Sequence, residues 1–200
     1  MQRIVMLAVF SAVLFAYTGT LTLNASDSKR DLYRRNRIRD NACQNNLQTF
    51  YSMLKFYADQ HKNQLPAGNN LEGLRALFEY SPALKIFSCD AARAKKAKRP
   101  KDLDEKSLAY IYFGGVNLAN ALRICPKLVL MCDKPDSRHL NVLLADGSIV
   151  ELQPRKLNRK ISNCQDIVET LNHLYSYPTD VLKNLRVKAK AIDSKLAGKK

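Results

Sequence analysis

The chain begins with a long apolar run. Residues 4–23 contain no charged side chain over 20 positions. A helix rises about 1.5 Å per residue, so such a run spans about 30 Å, the thickness of the hydrocarbon core of a bilayer. The pattern predicts a membrane anchor; the alternative is a cleaved signal peptide with Ala25 at the cleavage position. The length favours the anchor, because the apolar region of a signal peptide usually has about 7–15 residues.

Helical spacing of apolar positions follows this run. Residues 29–61 predict a long amphipathic helix, and residues 71–80 predict a short one that ends before Pro82. Two further amphipathic patterns fall near the C-terminus, on either side of Pro178. The second of these has a basic face, so it is expected either to lie on anionic lipid or nucleic acid, or to dock its apolar stripe on the protein body.

Short β-favouring runs occupy the middle of the chain. Strands are predicted at residues 84–89, 108–113, 128–131, 141–145 and 148–152. The last two flank Asp146 and Gly147, residue types that tolerate the positive φ of a tight turn, so a β-hairpin is predicted there.

These patterns together predict an α+β fold. A long N-terminal helix, first membrane-inserted and then amphipathic, packs on a small antiparallel sheet, and C-terminal helices follow. We expect a transmembrane anchor or signal segment at residues 1–25, an α+β domain at 26–154 and basic amphipathic helices at 155–200.

Charge adds a possible class of partner. Lys and Arg number 33 against 18 acidic residues, which gives a net charge of +15. Such a balance indicates either a solvated basic surface or an anionic neighbour such as DNA, acidic lipid or a cell-wall polymer. The basic segment at 91–106 is typical of a solvent-exposed loop. The alternative is a loop that binds an anion, with Lys95, Lys96, Lys98 and Arg99 as the candidate residues. Basic residues at 29–39 would by themselves place the body of the protein in the cytoplasm.

The five cysteines bear on the cellular compartment. None forms a Cys-x-x-Cys pair, and none has the spacing of a zinc finger. Cys125 and Cys132 flank a predicted strand, so they would lie about 23 Å apart and could not pair with each other. Two patterns stay open: two long-range disulfides with one odd thiol, or free cysteines that pack as small apolar side chains.

Catalytic and metal chemistry finds little support. A metal site could be formed by Asp133, Asp136, His139 and Asp146. The basic and apolar residues between them disfavour a compact set of oxygen ligands, however. Cys132 with His139 would need a geometry that spacing alone does not provide. We therefore predict a non-enzymatic protein with no catalytic, cofactor-binding or metal site, no cofactor and no small-molecule substrate.

Seven short stretches carry motifs in a characteristic order: residues 42–47, 56–59, 65–66, 86–90, 109–115, 132–135 and 139–147. They resemble the bacterial prepilin-like (pseudopilin-like) envelope proteins with a C-terminal His…Asp-Gly motif. Order and spacing match over about residues 1–152, although the chain lacks a recognisable prepilin cleavage site. Five residues in these stretches are the motif residues, for which the resemblance implies structural roles: Cys43, Cys89, His139, Asp146 and Gly147.

The resemblance implies a structural or assembly component of a pilus-like or type II secretion-like apparatus. Its partners would be inner-membrane lipid and other pilin-like subunits, and residues 26–154 would form a pilin-like domain. It would be a single-pass inner-membrane protein with a periplasmic domain, or a secreted one if the first segment is cleaved. The alternative is a tethered or secreted binding module that uses a basic surface for DNA or an anionic envelope polymer.

Overall fold

The computed structural model describes residues 30, 31, 34, 37, 41–80, 84–87, 99–105, 107–135, 137 and 139–198. The predicted anchor at residues 4–23 lies outside these residues. Within the described part, no helix combines the length and apolar character needed to cross a bilayer. Asp40–Lys200 forms one compact unit.

The β-sheet is a four-stranded antiparallel meander. Its strands follow one another in the order β1 (Tyr110–Tyr112), β2 (Val129–Asp133), β3 (Asn141–Leu144) and β4 (Ile149–Glu151). The predicted hairpin is confirmed, because Leu143 pairs with Ile149 and Gly147 has a φ of +80° in the turn. Alternation and turn chemistry thus located all four strands.

The predicted strand at 84–89 is wrong over its described part. Leu84–Phe87 is a 3-10 helix, and its Ile86 and Phe87 are buried. An apolar run this short has no periodicity that separates a strand from a helical turn.

A helix, α1, covers residues 41–60 and packs on the sheet. Phe50 on this helix makes an edge-to-face contact with Tyr110 of β1, with ring centroids 5.5 Å apart. Its buried face repeats at helical spacing and consists of Cys43, Leu47, Phe50, Met53, Leu54 and Ala58. The α+β architecture is therefore observed, with a helix lying on an antiparallel sheet.

Two short helices follow α1 along the chain. Leu71–Leu74 forms α2 and continues as a 3-10 turn to Leu77, close to the predicted short helix. Leu118–Ile124 forms α3, which the sequence analysis did not predict. The Asn117 side chain caps α3 by accepting a hydrogen bond from the Asn120 backbone N–H at 3.0 Å.

The C-terminal region contains α4 (Pro154–Leu157), α5 (Cys164–Tyr175) and α6 (Thr179–Ala197). The two predicted amphipathic helices correspond to α5 and α6, and the chain turns between them at Ser176, whose φ is +52°. Leu185, Ala189 and Ile192 of α6 are buried in the same core cluster as the sheet. The apolar stripe of α6 is thus docked on the protein body, as one of the two alternatives expected.

Candidate functional site

Two of the motif residues meet at one end of the sheet. Cys43 on α1, Asp133 at the end of β2 and His139 just before β3 bring one ligand-type atom each within 4.8 Å of one another. All three side chains are buried. We call this group the Cys43–Asp133–His139 cluster. It forms where the N-terminal part of α1 crosses the loop that joins β2 to β3.

Asp133 is the centre of the polar contacts in this cluster. Its Oδ2 accepts hydrogen bonds from the backbone N–H of Asn141 at 2.8 Å and from Asn141 Nδ2 at 2.9 Å. His139 Nε2 lies 3.5 Å from the same oxygen. Gln44 Nε2 on α1 donates to Asn141 Oδ1 at 3.2 Å. The Asp133 carboxylate is only 1% exposed, and the two hydrogen bonds from Asn141 compensate for the cost of removing it from water.

Tyr110 extends the polar contacts across β1. Asn46 Nδ2 on α1 donates to the Tyr110 hydroxyl at 3.0 Å. Burial raises the pKa of Tyr110 well above its ordinary value, and the nearby Asp133 carboxylate raises this pKa further. The phenol therefore stays protonated and neutral at physiological pH. Its place in the core makes it a packing and hydrogen-bonding group.

The cysteines follow neither of the two expected patterns. Cys43 is disulfide-bonded, whereas Cys125, Cys132 and Cys164 are free and buried. Three free thiols leave room for a single bridge, so both the two-bridge pattern and the five-thiol pattern are wrong. Cys125 and Cys132 do not pair with each other, as predicted. The free thiols pack as small apolar groups in the core.

Cys132 is poorly placed for the nucleophilic pairing with His139 that spacing suggested. It neighbours Asp133 on β2, and successive strand residues point to opposite faces of a sheet. Burial raises the pKa of the Cys132 thiol well above its ordinary value, which disfavours the reactive thiolate. The same cause raises the pKa of Cys164.

The other two described motif residues form the turn after β3, at the opposite end of that strand from His139. Asp146 Oδ2 accepts from Lys127 Nζ at 2.7 Å, and its Oδ1 accepts from the Ser148 N–H and hydroxyl at 3.0 and 2.6 Å. Partial burial raises the pKa of Asp146, but the hydrogen bonds from Lys127 and Ser148 outweigh this and lower it below its ordinary value. Asp146 is therefore a turn-stabilising carboxylate, and the structure separates it from Asp133 and His139.

The fifth motif residue, Cys89, lies outside the described residues, as do Lys95, Lys96, Lys98 and Asp136. Arg99, the remaining candidate anion-binding residue, makes a two-point ion pair with Asp102 through contacts of 2.8 and 3.0 Å. Its guanidinium charge is thus neutralised locally.

Basic residues on α6 are also partly engaged. Arg186 pairs with Glu169 of α5 at 2.6 Å. Lys188 Nζ donates to the Gly114 carbonyl at 2.6 Å, and burial lowers the pKa of this amine. Lys183 and Lys190 are exposed. A basic face on α6 therefore exists, but it carries less free charge than its composition suggests.

A cavity that the sequence analysis missed lies between α3 and α6. It has a volume of about 260 Å³ and is lined by groups that include Asn117, Ile124, Cys125, Asn184 and Lys188. The helix α3 lines one side of this cavity, and the one local sequence signal for that helix was the capping residue Asn117.

Comparisons with known proteins add no relative. No protein-family model, curated protein or solved structure matches the chain. The functional argument therefore rests on the chain's own residues and geometry.

Proposed function

We propose that this chain is a non-enzymatic, pseudopilin-like envelope protein that serves as a structural or assembly component of a pilus-like or type II secretion-like apparatus. The observation that carries the proposal is the packing of α1 on the four-stranded antiparallel meander. Residues of the His…Asp-Gly motif contact α1 at two points, one at each end of β3. These residues attach the helix to the sheet.

The first contact point between α1 and the sheet is the Cys43–Asp133–His139 cluster. Gln44 on α1 donates to Asn141 of β3, and Asn141 in turn donates to Asp133. The cluster is buried, with His139 only 7% exposed. A catalytic site needs substrate access to its reacting groups, so the burial of these side chains favours a structural role.

The second contact point between α1 and the sheet is the turn at Asp146 and Gly147. Tyr51 on α1 donates from its hydroxyl to the Ala145 carbonyl at 3.3 Å. The same tyrosine ring covers Gly147. The motif thus fixes the position of α1 on the hairpin. A scaffold whose N-terminal helix makes assembly contacts needs such a fixed position.

Membrane attachment and orientation complete the proposal. The apolar run at residues 4–23 would insert in inner-membrane lipid, with the body outside the cytoplasm. The disulfide bond of Cys43 supports that orientation, because disulfides persist in oxidising compartments. It weighs against the cytoplasmic placement that the basic residues at 29–39 would favour.

A second candidate function is a tethered binding module for DNA or an anionic envelope polymer. The net charge of +15 and the exposed Lys183 and Lys190 on α6 favour it. Counterion release makes binding of that kind fall steeply with salt. Subunit contacts through apolar helix faces are much less sensitive to salt.

Photocrosslinking in bacterial cells that contain the apparatus separates the two functions. A photoreactive residue replaces Phe56 on α1, which is 53% exposed, or Val187 on α6, which is 65% exposed. The assembly proposal predicts crosslinks from position 56 to other membrane proteins with an apolar N-terminal helix, formed equally when membranes isolated from these cells are irradiated at low and at high salt. Position 187 lies between Lys183 and Lys190 on α6, so crosslinks from it report the second function. Recovery of nucleic acid or wall polymer alone, lost at high salt, would support the second function and contradict the first.

A further inference from the structure

The cavity between α3 and α6 has a mainly apolar lining with a single charge. Among the described residues that line it, Lys188 carries the only charge, and three side-chain amides are present, those of Asn117, Asn120 and Asn184. Six apolar side chains form most of the remaining wall: Val116, Ala121, Ile124, Leu128, Val181 and Leu185. Apolar walls with a few polar groups are typical of sites for small molecules.

Lys188 reaches this cavity from α6 and is half-buried. Its Nζ donates to the Gly114 carbonyl at 2.6 Å. An ammonium group has three N–H donors, so this hydrogen bond leaves two of them for other partners. Within the described part of the chain, no carboxylate forms an ion pair with Lys188. Burial lowers the pKa of this amine, because a partly desolvated cation is costly unless an anion accompanies it.

We infer that this cavity is a binding site for a compact monocarboxylate with an apolar body, such as an aryl or branched-chain acid. The ligand carboxylate accepts the two remaining N–H groups of Lys188, and such charge-assisted hydrogen bonds are among the strongest in proteins. The apolar body lies between α3 and α6. This inference is independent of the proposed function, because neither assembly nor polymer binding uses the cavity.

Two further features of the lining suit such a ligand. Ile124 is apolar and yet 53% exposed, so the body of a ligand would remove apolar surface from water. Asn120 on α3 and Asn184 on α6 stand on opposite walls. Their side-chain amides have no hydrogen-bond partner among the described residues, so both can donate to a carboxylate.

The volume of the cavity sets the size of the ligand. Pockets for drug-sized molecules have about 300–1,000 Å³, and this cavity has about 260 Å³. At about 30 Å³ for each non-hydrogen atom, the volume that one water molecule takes in the liquid, the space holds roughly nine such atoms. Benzoate has this size, carries one negative charge at neutral pH and has an apolar ring.

The test is binding of radiolabelled benzoate to the full chain in an uncharged detergent, measured by equilibrium dialysis against empty micelles. We expect one saturable site per chain. Benzylammonium and benzyl alcohol share the ring but offer no anion to Lys188, and acetate has the carboxylate without the ring. Each of these three compounds should displace benzoate at least tenfold less effectively than unlabelled benzoate does.

Variants locate the site on the protein. Lys188→Met keeps the length of the side chain but removes its charge, and it should weaken benzoate binding tenfold or more. Lys190→Met is the matched control, since Lys190 is exposed on the same helix and does not line the cavity, and it should leave the affinity unchanged. Asn184→Trp fills the cavity from an exposed position and should abolish binding. Circular dichroism checks the fold of each variant.

The inference is overturned if the folded parent shows no saturable binding, or if benzylammonium or benzyl alcohol displaces benzoate as well as benzoate itself does. Unchanged affinity in Lys188→Met, binding retained in Asn184→Trp, or binding lost in Lys190→Met would overturn it as well. If Lys188→Met fails to fold, Asn184→Trp and the displacement series on the unmodified chain decide the question.

Discussion

Tyr51 on α1 covers Gly147 in the turn between β3 and β4 so closely that a Cβ atom at position 147 would lie 2.6 Å from Tyr51 Cε1. The φ of Gly147 is also positive, at +80°. Two independent demands therefore require glycine at this position: the left-handed backbone of the turn and the close approach of the helix.

Gly147→Ala should destabilise the protein by about 1–3 kcal/mol, because alanine meets both the backbone strain and the tyrosine ring. Gly115→Ala is the matched control: Gly115 has a φ of +67° but open space where its Cβ would stand. Denaturant unfolding of the two variants separates strain from contact. In a Tyr51→Ala background, the cost at position 147 should fall to that at position 115; an unchanged cost would disprove the contact.

Asp133→Ala should cost about 1–3 kcal/mol of unfolding free energy, because the buried N–H of Asn141 would lose its acceptor. Asp133→Asn retains an acceptor oxygen of the same shape and should cost less. Asp102→Ala, which breaks the exposed pair with Arg99, should change stability by about 1 kcal/mol or less. Equal effects of the alanine changes at 133 and 102 would contradict the role given to Asp133.

Ile192→Ala should cost about 2–5 kcal/mol, because Ile192 of α6 is fully buried in the common core. Val187→Ala on the outer face of the same helix should stay within about 0.5 kcal/mol, since that side chain is 65% exposed. Thermal unfolding measures both. A reversed order, with vesicle binding lost in Ile192→Ala, would mean that the apolar stripe faces lipid.

The pair of Lys127 and Asp146 makes part of the stability pH-dependent. The pKa of Asp146 is lowered in the folded protein, so its contribution is present above the ordinary Asp pKa and is lost as pH falls through the lowered folded value. Asp146→Asn should therefore have a lower melting temperature than the parent at pH 7, and the difference should shrink toward zero below about pH 3. Lys127→Met should reproduce the loss at pH 7, with no further loss in the double variant. A difference that persists at pH 2 would assign the effect to turn geometry.

Local signals in the sequence were enough to predict the sheet and the last two helices. Asp146 and Gly147 predicted the hairpin because turn chemistry is local, and Leu185, Ala189 and Ile192 predicted the buried stripe because its period is helical. The helix α3 was missed, since its seven residues carry little periodicity beyond the cap at Asn117.

The candidate site was predicted only in pieces. The sequence analysis rejected a metal cluster of Asp133, Asp136, His139 and Asp146, and the structure places His139 and Asp146 at opposite ends of β3. The neighbour of His139 is Cys43, almost a hundred residues away, and only the packing of α1 on the sheet brings it there. Patterns along one strand or helix carry no such long-range information.

The central claim is that this chain is an anchored envelope protein with its folded body outside the cytoplasm. Intact mass of the protein from fractionated cells, alkylated in denaturant before and after reduction, tests it most directly. The account predicts a full-length species in the membrane fraction with three thiols alkylated at once and two only after reduction, in line with the free cysteines and the bonded Cys43. A peptide map of the unreduced protein then identifies the cysteine that is joined to Cys43. A full-length membrane species whose five thiols all react before reduction would contradict the account and place the body in the cytoplasm.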